Sequence, residues 1–181
     1  MTDTPSPTPA PGADPTTAPG RQVLLQKIYV KDASVEVPNG PAIFTRPWRP
    51  EVDVQVNTKV DDLQQDSYQV QIVLTVTAKL GEDVAFLVEA HQAGVFTVKG
   101  FDQPTERAAI LGGYCPGLIF PFARETIADL VQRAGFPQLL LQPINFEALF
   151  LEHQRKRQAE AAAEMSEGAG DAPAEGEEGA Q

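Results

Sequence analysis

Apolar residues occupy alternate positions in three central stretches of the chain, and a period of two is the mark of a strand with one buried face. In 51–60, Val52, Val54 and Val56 face one way while Asp53, Gln55 and Asn57 face the other. In 68–80, Tyr68, Val70, Ile72, Leu74 and Val76 oppose Gln69, Gln71, Thr75, Thr77 and Lys79. In 83–98, Val84, Phe86, Val88 and Ala90 oppose Leu87, Glu89 and His91. The last two stretches are joined at Gly81, Glu82 and Asp83, short enough for a hairpin, which makes them antiparallel neighbours. An earlier stretch, 22–37, is a longer and less regular strand. Its Ile28 and Val30 share a parity with Asp32, Ser34 and Glu36, so one face is apolar early and acidic late. That change predicts a bulge or a strand that leaves its neighbour. Residues 38–50 contain four prolines and Gly40 and must form a loop, although Ile43, Phe44 and Trp48 give it more apolar mass than a loop needs.

A sheet with one apolar face needs a cover, and the period changes to about 3.6 in the C-terminal third. Thr105 is placed to cap a helix through Ile110 to Gly113, which Pro116 interrupts or kinks. The pattern resumes with Ala123, Ile127, Leu130, Val131 and Ala134, and stops at Gly135 and Pro137. After an extended apolar link, 136–144, Asn145 is placed to cap a last helix carrying Phe146, Leu149 and Phe150 on one side. Strands first and helices afterwards predict an α+β fold, a four-stranded antiparallel sheet with two C-terminal helices packed on one face.

Composition narrows the part of the 181 residues that folds. Residues 1–20 hold six prolines and almost nothing large, and 158–181 are mostly Ala, Gly and Glu. Segments of this kind bury too little apolar surface to offset the entropy of ordering, so a disordered arm (1–20), a single folded domain (21–157) and a disordered acidic tail (158–181) are expected. The two tails account for −9 of the net charge of −11, leaving the domain at −2. Acidity therefore serves solubility and attraction to basic partners, and it argues against nucleic acid, which needs clustered Lys and Arg. The one basic run, Arg155 to Arg157, is expected to complement a helix C-terminus. No apolar run long enough to span or insert into a membrane and no secretory signal pattern is present, and a single Cys115 leaves no intramolecular disulfide to form; a cytoplasmic protein is expected.

Candidate chemistry is sparse. His91 and His153 lie far apart and read as surface side chains rather than metal ligands. Cys115, before proline in Gly-Gly-Tyr-Cys-Pro-Gly, reads as a buried structural thiol rather than a nucleophile. No phosphate-binding loop, dinucleotide fingerprint or nucleophile elbow is present. Parity places Asp32, Ser34 and Glu36 near Leu87 and Glu89 on the solvent face if the first and fourth strands pair; the set is either an ordinary solvated surface or a site for a basic partner. The aromatics Trp48, Phe86, Phe120, Phe122, Phe146 and Phe150 are either core or an apolar surface. Leu118 to Phe122 is a continuous apolar run that one helix face cannot bury, which points to an oligomer interface or an open groove.

Several long segments closely resemble the bacterial protein-export chaperone SecB family: GGYCPGLIFPFARE at 112–125, FPQLLLQPINFEALF at 136–150, KIYVKDASVEVPNGP at 27–41 and FLVEA at 86–90. The resemblance implies a homotetramer, a dimer of dimers, that holds unfolded secretory precursor polypeptides and delivers them to the SecA motor ATPase. It implies no catalytic centre, no cofactor and no metal. The motor would dock at Asp32, Ser34, Glu36, Leu87 and Glu89. Clients would enter an aromatic subsite at Trp48, Phe86, Phe122 and Phe150, with Phe120 and Phe146 extending the groove. Val88, Ala90 and Gln92 match positions that influence assembly. Two departures are visible: Phe122 stands where Tyr is common, and Val88 where Cys occurs in some members. A small-molecule-binding or isomerase-like α+β domain is the competing reading.

Overall fold

The computed structural model describes residues 20–168, with side chains to 162. The proposed arm before residue 20 and the tail beyond 168 lie outside the described residues. Four strands, β1 (Gln22–Glu36), β2 (Glu51–Asp62), β3 (Ser67–Leu80) and β4 (Asp83–Lys99), form one antiparallel sheet in the order β1-β4-β3-β2. The hairpin joining β3 and β4 turns at Gly81, whose φ of 65° suits a residue without Cβ. Edge strand β1 carries two register shifts, one between Leu25 and Lys27 and one between Val30 and Asp32. The second is the bulge expected from parity. Before it Ile28 and Val30 pair with Gly94 and Gln92 on the helix side; after it Ala33 and Val35 take that side, and Asp32, Ser34 and Glu36 turn to the other.

The connection from β1 to β2 crosses the end of the sheet, because the two strands are opposite edges. It is pinned to the β3–β4 hairpin: Arg46 donates to Asp83 Oδ2 at 2.5 Å and to the Leu80 carbonyl at 2.9 Å, and Asn39 Nδ2 donates to the Val84 carbonyl at 3.0 Å. Ile43, in a short 3-10 turn at Ala42–Thr45, is buried beneath it.

Helices α1 (Pro104–Ala109) and α2 (Cys115–Arg133) are joined without a break by a π turn, Ile110–Tyr114. The interruption expected at Pro116 is therefore a widened turn. Proline has no N–H to donate, and a π turn absorbs the mismatch while the helix axis continues. The first helix starts at Pro104 after Gln103, one residue before the cap expected at Thr105. Ile119, Ala123, Ile127 and Val131 of α2 are fully buried against the sheet. At Gly94 a Cβ would stand 2.7 Å from the Phe96 ring and 3.0 Å from Ile119, so the bare backbone there lets α2 settle onto β4.

The last helix, α3 (Phe146–Gly168), begins as expected at Asn145, whose Oδ1 accepts from the Ala148 N–H at 3.0 Å. Two expectations fail. First, α3 does not lie on the sheet beside α2; it packs mainly on the π turn, with a small contact to α2. Second, helix continues through 158–168, into a segment expected to be without structure. Few large apolar residues preclude a share of the core but not a helix. Ala159, Glu160, Ala161 and Ala162 are strong helix formers, and the preceding turn carries a Glu152–Lys156 pair at 2.9 Å.

Candidate binding surfaces

The sheet has two unlike faces. On the side away from the helices, Asp32, Ser34 and Glu36 of β1 stand opposite His91, Glu89 and Leu87 of β4. All five residues proposed for the motor thus share one surface, and Asp32, Ser34 and Glu36 are exposed. Glu89 is held from two sides: Thr75 Oγ1 donates to Oε2 at 2.8 Å, and His91 Nε2 lies 2.8 Å from Oε1. The His91 contact, followed by that of Thr75, keeps the Glu89 carboxyl below the usual carboxylate range, because both favour the ionised form. His91 is therefore not a bystander on the surface. Its Nδ1 also meets Gln71 Nε2 at 3.2 Å, and its partners come from strand pairing that ligand-spacing rules do not detect.

On the helix side, α2 covers β4, β3 and β1, whereas β2 is met chiefly by the π turn. The valines of β2 point to this side in register with buried Ala78, Val76 and Val70 of β3, yet Val52, Val54 and Val60 remain 41%, 38% and 40% exposed. Between this strand and α3 runs a groove of about 630 Å³, with Thr58 and Val60 on one wall and Leu111, Gly112, Phe150 and His153 on the other. A second groove of about 480 Å³, on the far side of Phe150, is lined by Phe101, Ile110, Tyr114 and Leu151.

The expected aromatic subsite is not one site. Phe86, Phe120 and Phe146 are 1%, 4% and 3% exposed and belong to the core: Phe86 is in contact with Trp48 and Phe136, and Phe120 meets Phe146 edge-on at 5.3 Å. Phe86 points to the covered side of β4, and Phe120 and Phe146 close the seam between α2 and α3, so none of the three offers a free ring. Trp48 and Phe150 are half-buried and Phe122 is exposed. They lie apart, on the crossover loop, on α3 and on the outer face of α2. Sequence reasoning overlooked Phe44 and Phe136 as site residues. Phe136 bridges the cluster, 5.0 Å from exposed Phe44 and 5.1 Å from both Trp48 and Phe86; the signal was the surplus apolar mass of the proline loop.

Val88, Ala90 and Gln92 are buried on the helix side. Gln92 donates to the Tyr29 carbonyl at 3.0 Å and accepts from Thr126 of α2 at 3.3 Å. Cys115 is fully buried, and burial pushes its thiol up to about 12. No cluster of three or more His, Cys, Asp or Glu side chains able to hold a metal occurs among the described residues, and none of their helices is long and apolar enough to cross a membrane.

An α+β sheet with an acidic outer face and an apolar strand left open beside its helices has the build of a protein that binds other polypeptides. Comparison with known proteins makes the assignment specific. The family model described as preprotein translocase subunit SecB matches residues 16–157. The protein-export protein SecB of Nitrosococcus oceani is 49% identical over 146 residues, covering 80% of this chain and 88% of that protein. That of Methylococcus capsulatus is 48% identical over 143 residues, 79% and 92% of the two chains. A Mycobacterium tuberculosis SecB-like chaperone, solved in complex with a ChAD peptide from an antitoxin, shares the fold at 16% identity and a TM-score of 0.55, over 67% of this chain and 87% of that one. The chain belongs to the SecB family.

Proposed function

We propose that the protein is a chaperone for protein export that holds unfolded precursor polypeptides, works as a tetramer and hands its clients to the SecA motor ATPase. The observation that carries the client-binding reading is the uncovered apolar side of β2 beside α3. An extended chain laid there finds valine side chains below it and Phe150 beside it. One large apolar client side chain gains roughly 1.5 to 3 kcal/mol on full burial, whereas micromolar binding needs about 8. Each groove alone is weak. Copies of the groove in one assembly let a long client occupy several at once, and unfolded chains are selected because folded ones hide the necessary side chains.

The exposed stripe formed by Tyr114, at the end of the π turn, and Leu118 and Phe122 of α2 has the four-residue spacing of one helix face. It supports a second copy of the chain as its cover. For the motor, the acidic set Asp32, Glu36 and Glu89 supports docking of a basic surface, with Ser34 and Leu87 between them.

Two measurements test these readings. Suppression of precursor aggregation, followed by light scattering, is expected to drop when Val54 and Val60 are both replaced by Lys. Both are partly exposed already, so the fold tolerates the change; undiminished holding would remove the groove from the account. Glu36→Lys with Glu89→Lys is expected to abolish SecA binding and leave client holding intact.

A further inference from the structure

We infer that His91 and Thr75 are positioning residues for the acidic docking face, and that proton uptake by His91 weakens the docking of a basic partner. The inference rests on the reading of that face as the motor's site.

Thr75 and His91 fix the two oxygens of one carboxylate, and they do so from different strands: Thr75 projects from β3 and His91 from β4, two residues beyond Glu89. A carboxylate on a solvated sheet ordinarily samples several rotamers, and ordering it on binding costs entropy. Here the ordering is done in advance, and the Glu89 side chain stays 36% exposed to a partner. The neutral imidazole that carries its proton on Nε2 satisfies the whole set. Nε2–H donates to Glu89 Oε1, and Nδ1 accepts from the Gln71 amide.

A second proton, taken from solvent onto Nδ1, changes both contacts. Nδ1 becomes a donor and requires the Gln71 amide to turn its oxygen inward. The new imidazolium forms an ion pair with Glu89, so a basic partner meets a neutralised pair instead of a free carboxylate. The charged surroundings do not cancel this effect. Asp32 is opposite His91 on β1, with Lys31 beside it in the bulge, while the facing residues of β3 are the uncharged Val73, Gln71 and Thr75. One strand further out, Lys59 of β2 opposes Gln71 and lies 3.8 Å from Asp61.

The test is the affinity of the full chain for purified SecA, measured by calorimetry at constant ionic strength at about pH 8 and about pH 6. His91→Gln keeps a donor for Glu89 and loses the titration, and it serves as the reference for any pH dependence of the motor itself. Acidification is expected to weaken the wild type about two- to fivefold more than H91Q, the range of one exposed charge pair. Parallel profiles would overturn the role of His91. Thr75→Val is expected to weaken docking at both pH values and Thr75→Ser to restore it; no rescue by serine would overturn the role of Thr75. If the Glu36→Lys, Glu89→Lys pair leaves SecA affinity unchanged at about pH 8, the docking face itself falls and this inference with it. If that pair abolishes binding while H91Q tracks the wild type, the face stands and only the His91 device falls.

Discussion

Gly112→Ala offers a test of how α3 is held. Gly112 sits in the π turn against Phe150, and a Cβ added there would meet Cδ2 and Cε2 of the ring, the latter at 2.6 Å. Two effects oppose each other. Replacing glycine by alanine inside a helix is worth about 1 kcal/mol in favour of the folded state. Overpacking costs about 1 to 3 kcal/mol. If Phe150 swings out instead, it loses part of the 1.5 to 3 kcal/mol that full burial of such a ring is worth. The clash therefore wins, and G112A should be destabilised by up to about 2 kcal/mol. In a Phe150→Ala background the obstacle is gone and only the helix preference remains, so the same substitution should stabilise by up to about 1 kcal/mol. The assay is urea unfolding of wild type, both single variants and the double variant at one protein concentration, since assembly adds to apparent stability. A change of sign between backgrounds is the expected result. Additive effects would mean that Phe150 and Gly112 do not touch and that α3 is seated some other way.

Three further outcomes follow from the structure. Asn145→Ala removes the cap of α3 and should cost about 1 kcal/mol in the same unfolding assay, with Asn145→Asp close to wild type; no loss in the alanine variant would contradict the cap. Cys115 is buried with its thiol pushed up to about 12, so a thiol reagent at mildly alkaline pH should label it only after denaturation. Rapid labelling of the native protein would show that the start of α2 is not seated in the core. Because the folded Glu89 carboxyl titrates below its ordinary value, its stabilising contribution is complete above that ordinary value and is lost as pH falls through the lowered one. The stability difference between wild type and Glu89→Gln should shrink on acidification, and a constant difference would refute the hydrogen-bonded carboxylate.

Strand alternation made β2, β3 and β4 legible, and the clash of parity in β1 even located its second bulge. Asn145 was legible because a cap is a local contact. What escaped was whatever depends on where the cover ends. Alternation assigns Val52, Val54 and Val60 to the apolar side but cannot reveal that α2 stops short of them. By the same token it could not separate Phe86, Phe120 and Phe146, which the cover seals, from Phe150 and Trp48, which it only reaches. The grouping of Asp32, Ser34, Glu36, Leu87 and Glu89 followed from pairing β1 with β4. The clasp on Glu89 was overlooked, although residues two apart on a strand stand side by side. The extra helix beyond 157 was concealed by treating poverty in large side chains as absence of structure.

The surplus residue in β1 has a consequence for what changes the chain tolerates. Were Lys31 taken into the ladder instead of left surplus, everything after it would reverse, turning Asp32, Ser34 and Glu36 toward the oily interior and Ala33 and Val35 toward water. No single exchange of side chains at those positions reverses the whole segment at once. The unpaired residue in this strand is therefore as much a part of the surface's chemistry as its acids.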